Sequence, residues 1–298
     1  MISRRTFVSA SLLAGAGQAP SLAHAIAATS GASSPAGTDR QLMLAINEAA
    51  TATVSIAALY DRYEPVAKIL SRVSPSQVRP EPFIDVSLFR AELAKQPRPA
   101  YIFNKTVDLL AEEVVAGRYL PLVRTAEPYV AGFVASPNFK GDGLASLKGQ
   151  LVLFPPADTM TARLGFKTLR QLGLDYQISD SNTPQRLPNT VVIRHVPKND
   201  VIDSIIGNPA LSWYSAGLMN PSALKGWKGR VLAKLDPQPN WSLAARADLP
   251  ASVVSSAVEV LSTLHQTADG QKALEAMKVR QFVPAKKSDY VSLLDYLR

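Results

Sequence analysis

Polar side chains cluster at the point where an apolar run, Leu151–Phe154, gives way to an amphipathic pattern. The run is typical of a buried parallel strand, and Asp158, Thr159 and Thr161 follow it. The first amide N–H groups of a helix have no partner within that helix, so a helix that begins here would offer donors to an anion. The sequence therefore predicts an anion-binding helix N-terminus. The alternative is that Asp158 or Thr159 only caps the helix.

The residues after that loop predict the helix itself. Ala162, Phe166 and Leu169 recur at helical spacing, and Gly173 is a typical stop signal. A helix that follows a parallel strand begins at the carboxyl edge of the sheet, where α/β proteins commonly bind ligands. The candidate ligand contacts at this junction are Asp158, Thr159, Met160 and Thr161.

A similar junction stands earlier in the chain. A strand predicted at Pro99–Phe103 is followed by Asn104 and Lys105, and the helix that they open should end at Gly117. An amide and an ammonium group at a strand-to-helix turn are further candidates for ligand binding. The first strand of the chain is predicted at Leu42–Ile46.

Three more candidates lie near a proline. Pro65 is tolerated only in the first turn of a helix, which predicts a helix that starts near Asp61. Tyr60, Arg62 and Tyr63 would then stand at the mouth of that helix. The alternative is that they are ordinary exposed residues at a helix start.

The second half of the chain adds two candidates. A predicted strand at Val191–Val196 carries His195 near its end, and Tyr214 follows a predicted helix at Lys198–Ile206. A lone histidine at a strand end is more often structural than a ligand contact, so both interpretations of His195 stay open.

The N-terminus resembles a bacterial export signal. Residues 1–27 contain the paired Arg4 and Arg5 followed by Phe7, then an apolar run and a small-residue cleavage site, which resembles a twin-arginine signal. The run is too short and too interrupted to span a membrane. Residues 28–38 are rich in Ala, Ser and Gly and predict a disordered tether. We therefore expect a periplasmic protein.

Composition excludes several classes of function. There is no cysteine, and the chain has 3 histidines, so neither a disulfide framework nor a thiolate or clustered metal site is expected. The net charge of +8 comes from scattered basic residues without a nucleic-acid-binding motif. No nucleophile elbow or phosphate-binding loop is present, so we expect no enzyme and no cofactor. A moderately basic protein does attract small anions.

Several stretches, taken together and in this order, resemble the phosphate/phosphite/phosphonate-type periplasmic substrate-binding proteins of ABC importers. The resemblance covers nearly all of the chain from Leu42 to Leu297. The stretches are Arg62–Leu70, Leu144–Gly149, Asn240–Arg246, Thr267–Leu274 and Phe282–Ala285.

The resemblance implies an α/β fold of the type II periplasmic binding proteins, with two Rossmann-like lobes joined by two crossover strands. Lobe 1 would comprise residues 39–130 and 240–298, and lobe 2 residues 131–239. The crossovers fall near Tyr129 and Asn240. The lobes would close on a ligand in the cleft between them.

The resemblance also implies a ligand and a partner. The hydroxyl cluster that holds phosphonate oxygens in the family matches Thr159, Met160 and Thr161, although Met160 replaces a hydroxyl residue and Asp158 places a carboxylate beside the anion. Asp158 would face away or contact an amine or hydroxyl of the ligand. The implied partners are a small, anionic molecule and the membrane subunits of an ABC importer, with a sensor histidine kinase as the alternative. We expect a monomer that binds no nucleic acid.

Overall fold

The structure is a computed structural model, and it describes residues 41–48, 54–181, 183–211 and 213–298. The predicted export signal and tether lie outside the described residues. The strands within the described ranges are β1 (Leu42–Asn47), β2 (Val78–Phe83), β3 (Tyr101–Asn104), β4 (Tyr119–Thr125), β5 (Gly132–Ala135), β6 (Leu151–Phe154), β7 (Tyr176–Ile178), β8 (Val191–His195), β9 (Ala216–Met219), β10 (Val231–Lys234), β11 (Ser242–Arg246) and β12 (Phe282–Pro284).

Helices follow most of these strands, as expected for an α/β protein. The α-helices are α1 (Ile56–Ser71), α2 (Val86–Ala94), α3 (Val107–Val115), α4 (Met160–Gln171), α5 (Asn199–Ile206), α6 (Pro221–Gly226), α7 (Ala251–Ser262), α8 (Ala268–Met277) and α9 (Lys287–Leu297). Short 3-10 turns lie at Leu144–Leu147, Pro209–Leu211 and Leu264–Gln266.

The strands form two sheets. The first has the order β12-β4-β11-β3-β1-β2 and the second the order β10-β5-β9-β6-β8-β7. In each sheet the strands at one end are parallel, β3-β1-β2 in the first and β9-β6-β8-β7 in the second, while the others pair antiparallel. The predicted α/β class with two lobes, one around each sheet, is therefore confirmed.

The chain crosses between the sheets twice, and the two crossing segments pair with each other. The amide of Tyr129 donates to the carbonyl of Gln238 at 2.9 Å, and the amide of Gln238 donates to the carbonyl of Tyr129 at 3.0 Å. These segments lie between β4 and β5 and between β10 and β11. The outer boundaries of the lobes stay a prediction.

Helix α9 packs on both lobes. It contacts α3, which follows a strand of the first sheet, and α4, which follows a strand of the second. One hydrophobic cluster accordingly contains Ile102 and Leu110 from lobe 1 together with Phe154 and Leu218 from lobe 2. Because α3 and α4 share this core, their N-terminal turns are held on the same side of the molecule.

The predicted start of α1 near Asp61 is wrong. The helix begins at Ile56, where the side chain of Ser55 accepts from the amide of Ala58 at 3.3 Å, and Pro65 lies inside it. Pro65 is only half-buried, so the backbone carbonyl that its missing N–H leaves unpaired can be solvated. Tyr60, Arg62 and Tyr63 therefore lie one turn or more inside the helix, not at its mouth.

Candidate functional site

A cavity of about 350 Å³ lies where the carboxyl ends of strands from both sheets meet the helices that follow them. Residues from lobe 1, from lobe 2 and from the crossing segments all contribute to it. Its lining residues are Glu48, Lys105, Thr106, Tyr129, Pro155, Thr159, Met160, Thr161, Asn199, Asn220, Pro221, Ser222, Asn240 and Trp241.

The N-terminus of α4 forms the wall on the side of lobe 2. Thr159 is the cap: its hydroxyl accepts from the amide of Ala162 at 3.2 Å and donates to the carbonyl of Pro156 at 2.7 Å. The amide of Arg163 donates to the carbonyl of Thr159 at 3.1 Å. The two remaining amides of the first turn belong to Met160 and Thr161, and neither has an acceptor among the described residues. Together with the positive end of the helix dipole, they can hold an anion.

The hydroxyl of Thr161 links this wall to the first crossing segment. It lies 2.5 Å from the hydroxyl of Tyr129, and either group can donate. Burial raises the pKa of Tyr129 to about 12, so its phenol keeps its proton and the pair stays neutral. Both residues line the cavity.

The wall on the side of lobe 1 is built around Glu48, whose residue is 4% exposed. Its carboxylate accepts from Arg62 Nη1 at 3.0 Å, from Lys105 Nζ at 2.7 Å and, at short range, from the hydroxyl of Tyr63. Strand β1 ends one residue before Glu48, and the parallel strand β3 ends one residue before Lys105. The parallel register of these strands brings the two charges together.

Lys105 also contacts an aromatic ring. Its Nζ lies 4.2 Å from the centroid of the Trp241 ring, in the second crossing segment. Burial lowers the pKa of Lys105, and the charge of Glu48 opposes that effect. The ammonium group is thus held between a carboxylate and an aromatic face.

Asn104 lies beneath this wall and does not line the cavity. It is fully buried, and its Oδ1 accepts from the amide of Thr106 at 2.8 Å. Its Nδ2 has no hydrogen-bond partner among the described residues. The bond to Thr106 shapes the turn into α3 and so places Lys105 and Thr106 in the cavity wall.

Besides Asn104, the structure leaves four more of the predicted contacts on lobe 1 and the α4 junction outside the cavity lining. Asp158 is exposed, and the hydroxyl of Tyr60 donates to Glu81 Oε1 at 2.7 Å. Arg62 and Tyr63 do not line the cavity, but both donate hydrogen bonds to the carboxylate of Glu48, which does. Asp158 is exposed because the cap is supplied by Thr159, whose side chain turns back onto the helix.

His195 and Tyr214 are likewise packed away from the lining. His195 Nδ1 lies 2.5 Å from the carbonyl of Pro155, and its ring meets those of Phe154 and Phe166 with centroids 6.3 Å and 5.9 Å away. The hydroxyl of Tyr214 accepts from Arg194 Nη1 at 3.1 Å. The structural interpretation of His195 therefore fits these contacts better.

Several lining residues are not among the ligand contacts that the sequence predicts. Asn199, Asn220 and Ser222 come from the turns that open α5 and α6. The pair Asn220-Pro221 is a recognisable signal for a helix start, since asparagine caps and proline favours the first helical position. Glu48 and Trp241 carried no local signal, because only the meeting of distant segments makes them neighbours.

An ion pair joins α3 and α4, two of the helices whose N-terminal turns contribute to the cavity. Arg163 Nη1 of α4 makes a short contact with Asp108 Oδ2 of α3, and Asp108 is fully buried. Its Oδ1 makes no hydrogen bond within the part of the chain that the structure describes. Burial raises the pKa of Asp108, Arg163 opposes that effect, and Glu112 adds to it.

The described ranges contain no cluster of three His, Asp or Glu side chains suited to a metal ion. Nor do they include a helix both long enough and apolar enough to span a membrane.

A two-lobed α/β fold with a ligand-sized cavity at the lobe junction defines the class of solute-binding proteins. The family model for phosphonate-type periplasmic substrate-binding proteins of ABC transporters matches residues 49–290. The chain belongs to that family. The prediction made from its short stretches is thus confirmed, and a family of transport proteins agrees with the expectation of no enzyme. No curated protein sequence matches the chain.

Solved structures with the same fold are distant in sequence. XAC2383 from Xanthomonas citri, solved bound to ATP, is 13% identical with a TM-score of 0.68, over 86% of this chain and 95% of that one. PhnD1 from Prochlorococcus marinus, solved with methylphosphonate, is 13% identical with a TM-score of 0.61, over 87% and 97%. A binding protein of a Pseudomonas aeruginosa ABC phosphonate transporter is 13% identical with a TM-score of 0.58, over 86% and 85%. At these identities the likeness establishes the type II fold alone.

Proposed function

We propose that this protein captures a small oxyanionic ligand, phosphonate- or phosphate-like, in the cavity and delivers it to the membrane subunits of an ABC importer. The observation that carries the proposal is the first turn of α4: the amides of Met160 and Thr161 have no acceptor among the described residues, and both residues line the cavity together with Lys105. Donors fixed in this way suit a charged oxygen. The family supports transport as the role, and nothing favours the sensor kinase as the partner.

The test is calorimetric titration of the full chain with methylphosphonate, inorganic phosphate and methanesulfonate. At least one should bind, and Ser222→Asp should weaken that binding at least about tenfold, because it adds a like charge to the cavity wall. Ser222 is exposed, so the substitution should not disturb folding.

The matched control is Ser204→Asp, an exposed position on α5 outside this cavity that gives the same net charge. It should bind as the unmodified protein does. Binding that Ser222→Asp leaves unchanged would place the ligand elsewhere, and the absence of binding by all three anions would refute the oxyanion proposal.

A further inference from the structure

The charge of the cavity wall limits which anions it can favour. Glu48 and Lys105 are the charged residues among those that line the cavity, and Arg62 stands behind them. Two cations and one carboxylate leave this buried cluster with a net charge of +1. Lys278 is near enough to lower the pKa of Lys105, but it is exposed and solvent screens it.

A site with one net positive charge favours a singly charged ion. The cost of removing an ion from water grows with the square of its charge, whereas its attraction to a fixed charge grows only in proportion. The helix N-terminus adds roughly half a positive charge. Relative to a singly charged ion, a doubly charged ion therefore gains about twice the attraction to this wall at about four times the cost in hydration free energy.

The size and lining of the cavity point to an organic ligand. A cavity of about 350 Å³ falls within the range of about 300–1,000 Å³ that is usual for organic ligands. An inorganic oxyanion would displace only a few water molecules of about 30 Å³ each. Much of the remaining wall is apolar and consists of Trp241, Met160, Pro155 and Pro221.

Resting on the proposed function, we propose that the ligand is a singly charged organic oxyanion, such as a phosphonate monoester, a phosphate diester or an isosteric sulfonate, whose apolar portion lies against Trp241. Glu48 is the residue that disfavours doubly charged ions, because it neutralises one of the two cations on its side of the cavity. Trp241 is the residue that favours an apolar substituent.

Four probes separate charge from size: methanesulfonate, benzenesulfonate, methylphosphonate and phenylphosphonate. At about pH 8.5 the phosphonates are doubly charged and the sulfonates singly charged, while each pair keeps nearly the same shape. Titration of the full chain should show each sulfonate binding about tenfold more tightly than its phosphonate. Each phenyl compound should bind about tenfold more tightly than its methyl counterpart.

Two substitutions assign these preferences to residues. Glu48→Gln should increase the affinity for phosphonates relative to that for sulfonates by at least about tenfold, and it should leave the preference for phenyl compounds unchanged. Trp241→Leu should remove most of the phenyl preference and leave the charge preference. The controls are Glu112→Gln and Trp213→Leu, which change a half-buried and an exposed side chain outside the cavity and should alter neither preference.

The affinities of the four probes for the unmodified protein test the inference even if a variant fails to fold. Phosphonates that bind as tightly as their sulfonates would overturn the role of charge, and methyl and phenyl compounds of equal affinity would overturn the role of Trp241. Binding that Ser222→Asp abolishes but that shows neither preference would refute this inference and leave the proposed function intact. No binding by any of these anions would refute both.

Discussion

The two walls of the cavity offer an anion different kinds of positive charge. On the side of lobe 2, the donors are backbone amides of Met160 and Thr161, fixed by the helix and independent of side-chain identity. On the side of lobe 1, the charges of Lys105 and Arg62 are side-chain charges, partly neutralised by Glu48. The wall formed by the N-terminus of α4, the helix wall, therefore suits any oxyanion. The wall formed by Glu48, Lys105 and Arg62, the charged wall, has a net charge that single substitutions can change.

Removing the carboxylate of the charged wall should be strongly destabilising. Glu48→Ala leaves Arg62 and Lys105 without their shared counter-ion, and their side chains are only 13% and 11% exposed. Loss of one partner from a buried ion pair costs about 3–5 kcal/mol of unfolding free energy, which urea denaturation would measure.

The matched control is Glu64→Ala, which removes the carboxylate from an exposed pair with Lys68 on the same helix as Arg62. Its cost should stay below about 1 kcal/mol. A loss in Glu48→Ala no larger than in this control would mean that the charged wall is not held together by its carboxylate.

Asp108, which pairs with Arg163 between the helices, should make the free energy of unfolding depend on pH with a sign opposite to that of most carboxylates. The raised pKa of Asp108 means that the folded protein binds its proton more readily than the unfolded chain does. Stability from this group is therefore fully present below the ordinary value of about 3.9 and is lost as the pH rises through the folded pKa. The groups that face it are Arg163, Glu112 and Tyr129.

Asp108→Asn should remove that component, because the amide cannot ionise. The difference in unfolding free energy between the variant and the unmodified protein should grow in favour of the variant as the pH rises through that window. Each unit of pKa shift corresponds to about 1.4 kcal/mol. Parallel pH profiles of the two proteins in chemical denaturation would show that Asp108 does not titrate with a raised pKa.

Substitutions of the two threonines at the start of α4 should distinguish a capping residue, Thr159, from a ligand contact, Thr161. Thr159→Val removes the cap of α4 and should cost about 1 kcal/mol of stability with little change in affinity. Thr161→Val removes the hydroxyl beside Tyr129 and should weaken anion binding about tenfold. Calorimetric titration and thermal unfolding of both variants measure the two effects.

Asp158→Asn is the control on the same turn. Its side chain is exposed and contacts nothing in the cavity wall, so neither affinity nor stability should change by more than about 0.5 kcal/mol. Tighter anion binding by this variant would show that Asp158 does face the ligand. A larger effect of Thr159→Val on affinity than on stability would reverse the assignments of the two threonines.

The sequence by itself was sufficient where the signal is local. The apolar run Leu151–Phe154, the stop at Gly173 and the junction at Asn104-Lys105 predicted their strands and helices correctly, because periodicity and caps act within one or two turns. The same reasoning failed for α1, where the tertiary environment tolerates Pro65 inside the helix. A local rule on proline cannot include that environment.

Long-range strand pairing, which local sequence patterns do not reveal, determines which polar residues share the cavity. Glu48 and Lys105 are distant in sequence, and the parallel register of β1 and β3 makes them an ion pair. Trp241 reaches the same wall because the chain returns from lobe 2 beside Tyr129. A residue type at a strand end predicts a donor or a charge, but long-range strand pairing decides whether that group faces a ligand, supports the wall or, as with His195, packs against a neighbouring aromatic ring.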